Sequence, residues 1–111
     1  MTYRIFKYPI NILDAASPGY QTLRLPKGAI FRAVQLQAGD VPTVWFEAND
    51  ENPIEDRFLT VVGTGHEVPC DSHYLGTYQV TWGTYQVTWP KTGLVFVGHV
   101  YEILHQNGRL E

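Results

Sequence analysis

Apolar and polar residues alternate along this chain in short runs, and glycine or proline interrupts the runs again and again. Alternation with a period of two puts one set of side chains on each face of a β-strand, so each run can bury one face and solvate the other. Tyr3–Tyr8, Gln21–Leu25, Ile30–Gln37, Thr43–Ala48, Arg57–Val62 and Leu94–Ile103 all read as strands on this pattern. Pro9 removes a backbone donor and places the first of them near a sheet edge. Ala38–Pro42 joins two strands as a hairpin connection. The last strand is apolar on both faces, which predicts a central position. The runs are separated by Asp14–Gly19, Pro26-Lys27-Gly28, Asn49–Glu55, Glu67–Ser72 and Pro90–Gly93, whose Gly, Pro, Asn and Asp content suits turns and loops. No segment carries a helical period with caps. The expected fold is all-β: a small antiparallel sandwich or partly open barrel of seven to eight short strands.

A seven-residue unit, Gly-Thr-Tyr-Gln-Val-Thr-Trp, occurs twice in succession, as Gly76–Trp82 and Gly83–Trp89. Within each copy Tyr, Val and Trp share one face. An odd repeat length turns the second copy over if the strand runs on unbroken. Strands also average only about 5–6 residues. A turn or bulge near Trp82-Gly83 is therefore expected, and the duplication reads as an inserted excursion.

The 111 residues suit one domain, expected over 1–104, with 105–111 a frayed tail ending in a Leu-Glu cloning scar. With 44% hydrophobic and only 17% charged residues the chain can bury enough apolar surface to fold. The net charge of −3 and the scatter of its eight Lys and Arg leave no footprint for duplex nucleic acid. No apolar run reaches the length of a membrane span. The start, Met1-Thr2-Tyr3-Arg4, lacks the apolar stretch of a signal peptide. The lone cysteine, Cys70, rules out an internal disulfide and suits a reducing, cytoplasmic setting.

Few residues carry a chemical signal. Gly63-Thr64-Gly65-His66 follows a strand and can form either a strand-ending turn or a backbone nest for an anion. His66, Cys70 and His73 are zinc-competent at close spacing, but a structural site takes four ligands and no second pair follows. No metal and no cofactor is expected. Cys70 lies beside Glu67 and Asp71, an acidic setting that disfavours a nucleophilic thiolate. His99 sits within the apolar last strand and needs a hydrogen-bond partner there. Trp45, Trp82, Trp89 and the tyrosines, Tyr78 among them, serve as core rings, a flat-ligand lining or an interface between subunits. The expected ligand-binding set is Gly63, Thr64, Gly65, His66, Trp45, Tyr78 and His99, with no catalytic residue assigned.

Several elements together resemble a known family. These are Ile5-Phe6-Lys7-Tyr8-Pro9, Leu25-Pro26-Lys27-Gly28-Ala29, Val34-Gln35-Leu36-Gln37, Val44-Trp45-Phe46, Gly63-Thr64-Gly65-His66, Tyr74-Leu75-Gly76-Thr77-Tyr78-Gln79 and the closing His99-Val100-Tyr101-Glu102. From about Tyr3 to Glu102 the chain resembles small tailed-phage and prophage proteins of unknown function. It departs from their pattern in the doubled Gly-Thr-aromatic-Gln unit and in Gly98 ahead of His99. The resemblance implies a phage-encoded protein made in the cytoplasm of the host bacterium. Small accessory phage proteins often act by binding. The expected function is thus a non-enzymatic binding protein that inhibits a host factor or anti-phage defence system. It would do so by engaging a host protein or by sequestering a nucleotide signal, with Arg57, Lys91 or Arg32 assisting an anion. A homo-oligomer is compatible with so many rings. The alternatives are a minor structural or assembly component of the virion and, less favoured, a metal-assisted hydrolase using His66, His73 and His99.

Overall fold

In a computed structural model, which describes residues 2–82 and 94–104, the chain forms two antiparallel sheets packed face to face. The strands are β1 (Tyr3–Pro9), β2 (Gln21–Pro26), β3 (Ile30–Gln37), β4 (Val41–Asn49), β5 (Ile54–Gly63), β6 (Ser72–Trp82) and β7 (Leu94–Ile103). Strands β1, β4 and β3 make a three-stranded sheet in that order, and β2, β5, β7 and β6 a four-stranded one. The architecture is the sandwich expected from the alternation, and neither sheet closes into a barrel. β7 is central, as its two apolar faces required, and β1 with Pro9 is an edge. The second copy of the repeat, the Pro90–Gly93 turn and the 105–111 tail lie outside the described residues. The first copy behaves as its alternation demands: Tyr78 and Val80 are buried, while Thr77, Gln79 and Thr81 are exposed.

The core lies between the sheets. Leu23 and Leu25 of β2, Leu59 and Val61 of β5, and Val100 of β7 meet Val44, Phe46 and Ala48 of β4. A bulge at Arg32 solves a parity problem in β3. Phe31 pairs with Phe46 and Ala33 with Trp45, so Arg32 is the extra residue. The bulge lets Phe31 on one side of it and Val34 and Leu36 on the other all pack on the core, although their sequence parities differ. A second bulge, between Tyr74 and Gly76, does the same for β6 and leaves Tyr74 on the outer face.

One element contradicts the loop expected between β1 and β2. Ile12–Ala15 forms a single helical turn, α1, with Asn11 as its N-cap accepting from the Leu13 N–H at 3.1 Å. A four-residue helix gives no periodic signal, which is why the alternation passes over it. Ala15 is fully buried, and the Thr60 hydroxyl of β5 lies 3.1 Å from the Ala15 carbonyl and 2.8 Å from that of Gly19. Ser17 N–H bonds the Val61 carbonyl at 2.9 Å, so this segment covers the β5 edge beyond the end of β2.

Candidate functional site

Gly63-Thr64-Gly65-His66 folds as a tight turn at the end of β5. His66 N–H donates to the Gly63 carbonyl at 3.1 Å, and Gly65 takes φ +90°, the geometry of a type II turn that glycine accepts without strain. Of the two conformations open to this segment, the turn is the one that forms, and it engages the His66 N–H.

The turn is tied to β7. Thr64 Oγ1 lies 2.9 Å from His99 Nε2, and Thr77 Oγ1 of β6 lies 3.0 Å from His99 Nδ1. The Tyr74 hydroxyl completes the chain at 2.5 Å from Thr77 Oγ1. These groups share the outer face of the four-stranded sheet because Val62, His99 and Thr77 pair directly across β5, β7 and β6. A neutral imidazole donates through one nitrogen and accepts through the other, so the two threonine hydroxyls play opposite roles. The partner required for His99 is therefore a pair of hydroxyls. Beside this chain lies a recess of about 200 Å³ lined by Val62, Thr64, His66, Val68, His99 and Tyr101.

His66 also borders a second hollow. An apolar groove of about 390 Å³ runs between α1 and the ends of β5 and β7, lined by Ile12, Leu13, Ala16, Val61 and Phe96 besides Gly63 and His66. Leu13 is 90% exposed on its wall. The turn thus stands between a polar recess on one side and an apolar groove on the other.

The remaining expected residues fall elsewhere. Trp45 alternates with the core residues Val44 and Phe46, which sets it half-buried on the outer face of the three-stranded sheet, away from His99. Tyr78 points inward between the sheets and is 4% exposed. Arg57 turns into the core, gripping Glu102 through two nitrogens and lying 5.4 Å above the Phe46 ring. Its guanidinium is pushed up from its ordinary value chiefly by the hydrogen bond to Glu102. Arg32 pairs with Glu47 on the opposite sheet, and Lys91 lies outside the described residues. Among the described residues, then, no lysine or arginine lines the recess or the groove. Among the same residues no three His, Cys, Asp or Glu converge in a way that would hold a metal ion. Tyr74, Thr77, Tyr101 and the α1 residues were not legible as site residues. A bulge and a cap place them, and neither leaves a strong pattern in sequence.

Tyr78 makes a checkable contribution to stability. Burial pushes its hydroxyl up to about 12 from the ordinary 10.0. The folded state keeps this proton in the window where the unfolded chain releases it. The stability linked to it is complete below the unfolded value and is lost as pH rises through the folded one. Urea unfolding at neutral pH and again near the upper value should show a loss of about 2–3 kcal/mol from this group, and Tyr78→Phe should remove that part of the loss.

Together these features define a small antiparallel β-sandwich with a turn-built recess and groove at one end. Within that class the chain belongs to the family described as Domain of unknown function (DUF7352), whose model matches residues 1–109. No curated protein and no solved structure matches the chain.

Proposed function

We propose that this protein is a non-enzymatic binding protein that holds a small nucleotide-like ligand around the Gly63–His66 turn. In this reading it is a phage accessory protein that withdraws a nucleotide signal from a host defence system. The observation that carries the reading is the Thr64–His99 hydrogen bond, which draws the turn onto β7 and leaves His66 between a polar recess and an apolar groove. A ligand with a ring and a polar part finds matching surroundings on the two sides of one side chain. Among the described residues the site supplies imidazoles and hydroxyls rather than lysine or arginine, which favours a ligand of low charge. The test is native mass spectrometry of protein purified from a bacterial lysate, with the bound fraction released and identified. A nucleotide-like compound at fixed stoichiometry is expected, with at least about tenfold weaker retention in His66→Ala. Absence of any ligand, together with an unchanged melting temperature across a panel of mononucleotides and cyclic dinucleotides, would count against the proposal.

A protein partner is the second reading, favoured by the opposite face. There Trp45 shares the outer face of the three-stranded sheet with Tyr3, Ile5 and Ile30, each more than half exposed, and Lys7 and the Arg32–Glu47 ion pair lie among them. Aromatic residues and arginine are enriched at protein interfaces, and this face presents both. Loss of a captured host protein in Trp45→Ala, with His66→Ala still capturing it, would favour this reading over the first.

A further inference from the structure

β6 is the edge of the four-stranded sheet and is held on one side, by β7. Its first copy of the repeat sets Gly76 opposite Val100, Tyr78 opposite Gly98, Val80 opposite Phe96 and Trp82 opposite Leu94. Three of these positions are demanding. A Cβ on Gly76 would stand 2.7 Å from Val34 Cγ1 of the facing sheet, so the approach of β3 needs glycine there. Tyr78 lies flat over Gly98, which pairs in turn with Gly63, and a Cβ on Gly98 would stand 2.6 Å from the Tyr78 Cζ. Val80 is 2% exposed. A strand that slips its register usually brings unlike residues to such positions or turns its core face to water. A slip of seven residues here brings like for like: Gly83 to the place of Gly76, Tyr85 to that of Tyr78, Val87 to that of Val80 and Trp89 to that of Trp82. The connections allow it. Residues 64–71 join β5 to β6, and 83–93 join β6 to β7. The slip moves seven residues from the second connection to the first and leaves the turn-forming Pro90-Lys91-Thr92-Gly93 between Trp89 and Leu94. Loop closure varies only with the logarithm of length, so the transfer changes little.

We infer that β6 is an exchangeable strand: Gly83–Trp89 can take the place of Gly76–Trp82 against β7, which gives the protein two folded registers. What separates them lies upstream of the repeat. In the observed register Ser72, His73 and Tyr74 pair with Ile103, Glu102 and Tyr101, Leu75 packs on the core, and the Leu104 N–H donates to the Asp71 carbonyl at 2.8 Å. After the slip Gln79, Val80 and Thr81 stand opposite those β7 residues and Trp82 takes the place of Leu75, so the observed register is the favoured one. The exchange acts on the candidate site. Thr84 replaces Thr77 beside His99. Tyr74, however, leaves Tyr101, whose ring it meets edge-on at 5.5 Å, and the connection that carries Val68 lengthens. Tyr101 and Val68 both line the recess, so the recess is complete only in the observed register, and a ligand bound there selects that register.

The test places a charge in one copy at a time, in the full chain. Tyr78 is 4% exposed, so in the observed register Tyr78→Asp buries an unpaired carboxylate in the core. The slip carries residue 78 out of the strand into the connection and puts Tyr85 over Gly98. Tyr78→Asp is therefore expected to keep a cooperative urea transition, and its cross-strand NMR contacts to His99 should come from Thr84 instead of Thr77. Tyr85→Asp should keep the contacts of the parent, with Thr77 opposite His99. The double variant, Tyr78→Asp with Tyr85→Asp, has no intact copy left and should lose the cooperative transition. If Tyr78→Asp is as unfolded as the double variant, or folds with Thr77 still opposite His99, the inference falls.

Discussion

Glu102→Ala is expected to lower the folding free energy by about 3 kcal/mol, read as a shift in the urea midpoint. The cause is the partner left behind. Arg57 and Glu102 are 17% and 12% exposed, and two guanidinium nitrogens hold the carboxylate. Truncating one member of a buried pair strands the other charge, which costs about 3–5 kcal/mol. Here Glu55, 3.6 Å from the guanidinium, offers partial compensation, so the lower end of that range applies. Arg57 Nη1 also donates to the Ala29 carbonyl at 3.0 Å, tying β5 to the start of β3. A double replacement by apolar residues, Arg57→Met with Glu102→Leu, should recover most of the loss because no unpaired charge remains. If Glu102→Ala shifts stability by less than about 1 kcal/mol, the range of an exposed ion pair, this bridge is not a keystone of the fold.

Phe46→Ala should cost about as much or more, roughly 3–5 kcal/mol, the usual price of deleting a fully buried ring. Phe46 is 0% exposed at the centre of the core. The Phe31 ring meets it edge-on at 5.7 Å from the side of the β3 bulge, and Arg57 covers its face. The loss is a large fraction of the total stability of a small domain. Because Arg57 touches both Phe46 and Glu102, the two replacements should not add. A double-mutant cycle read by urea unfolding should return a coupling of about 0.5 kcal/mol or more. Simple additivity would show that the guanidinium over the ring contributes nothing.

Both predictions concern contacts that no local pattern announces, and the candidate site divides in the same way. The Gly63–His66 turn was legible because a glycine pair after an apolar run punctuates a strand wherever it occurs. His99 was legible as a polar group in need of a partner. That its partners are Thr64 and Thr77 was not, since they lie 35 and 22 residues away and meet it only through strand pairing. Trp45 and Tyr78 stood out by residue type alone. Type does not say which face of which sheet a ring will occupy, and these two face away from the His99 recess in different directions.

Alternation by itself determined that this chain is all-β, where most strands lie and that β7 is central. A period of two is a local property, and apolar faces must be buried wherever the strands end up. Only the tertiary structure decided the strand order, the bulges at Arg32 and Leu75, the helical turn at Ile12–Ala15 and the groove beside it. Each depends on residues distant in sequence filling the same space. A bulge that inverts parity, or a glycine row that lets one ring lie flat, takes its meaning from the neighbour it packs against.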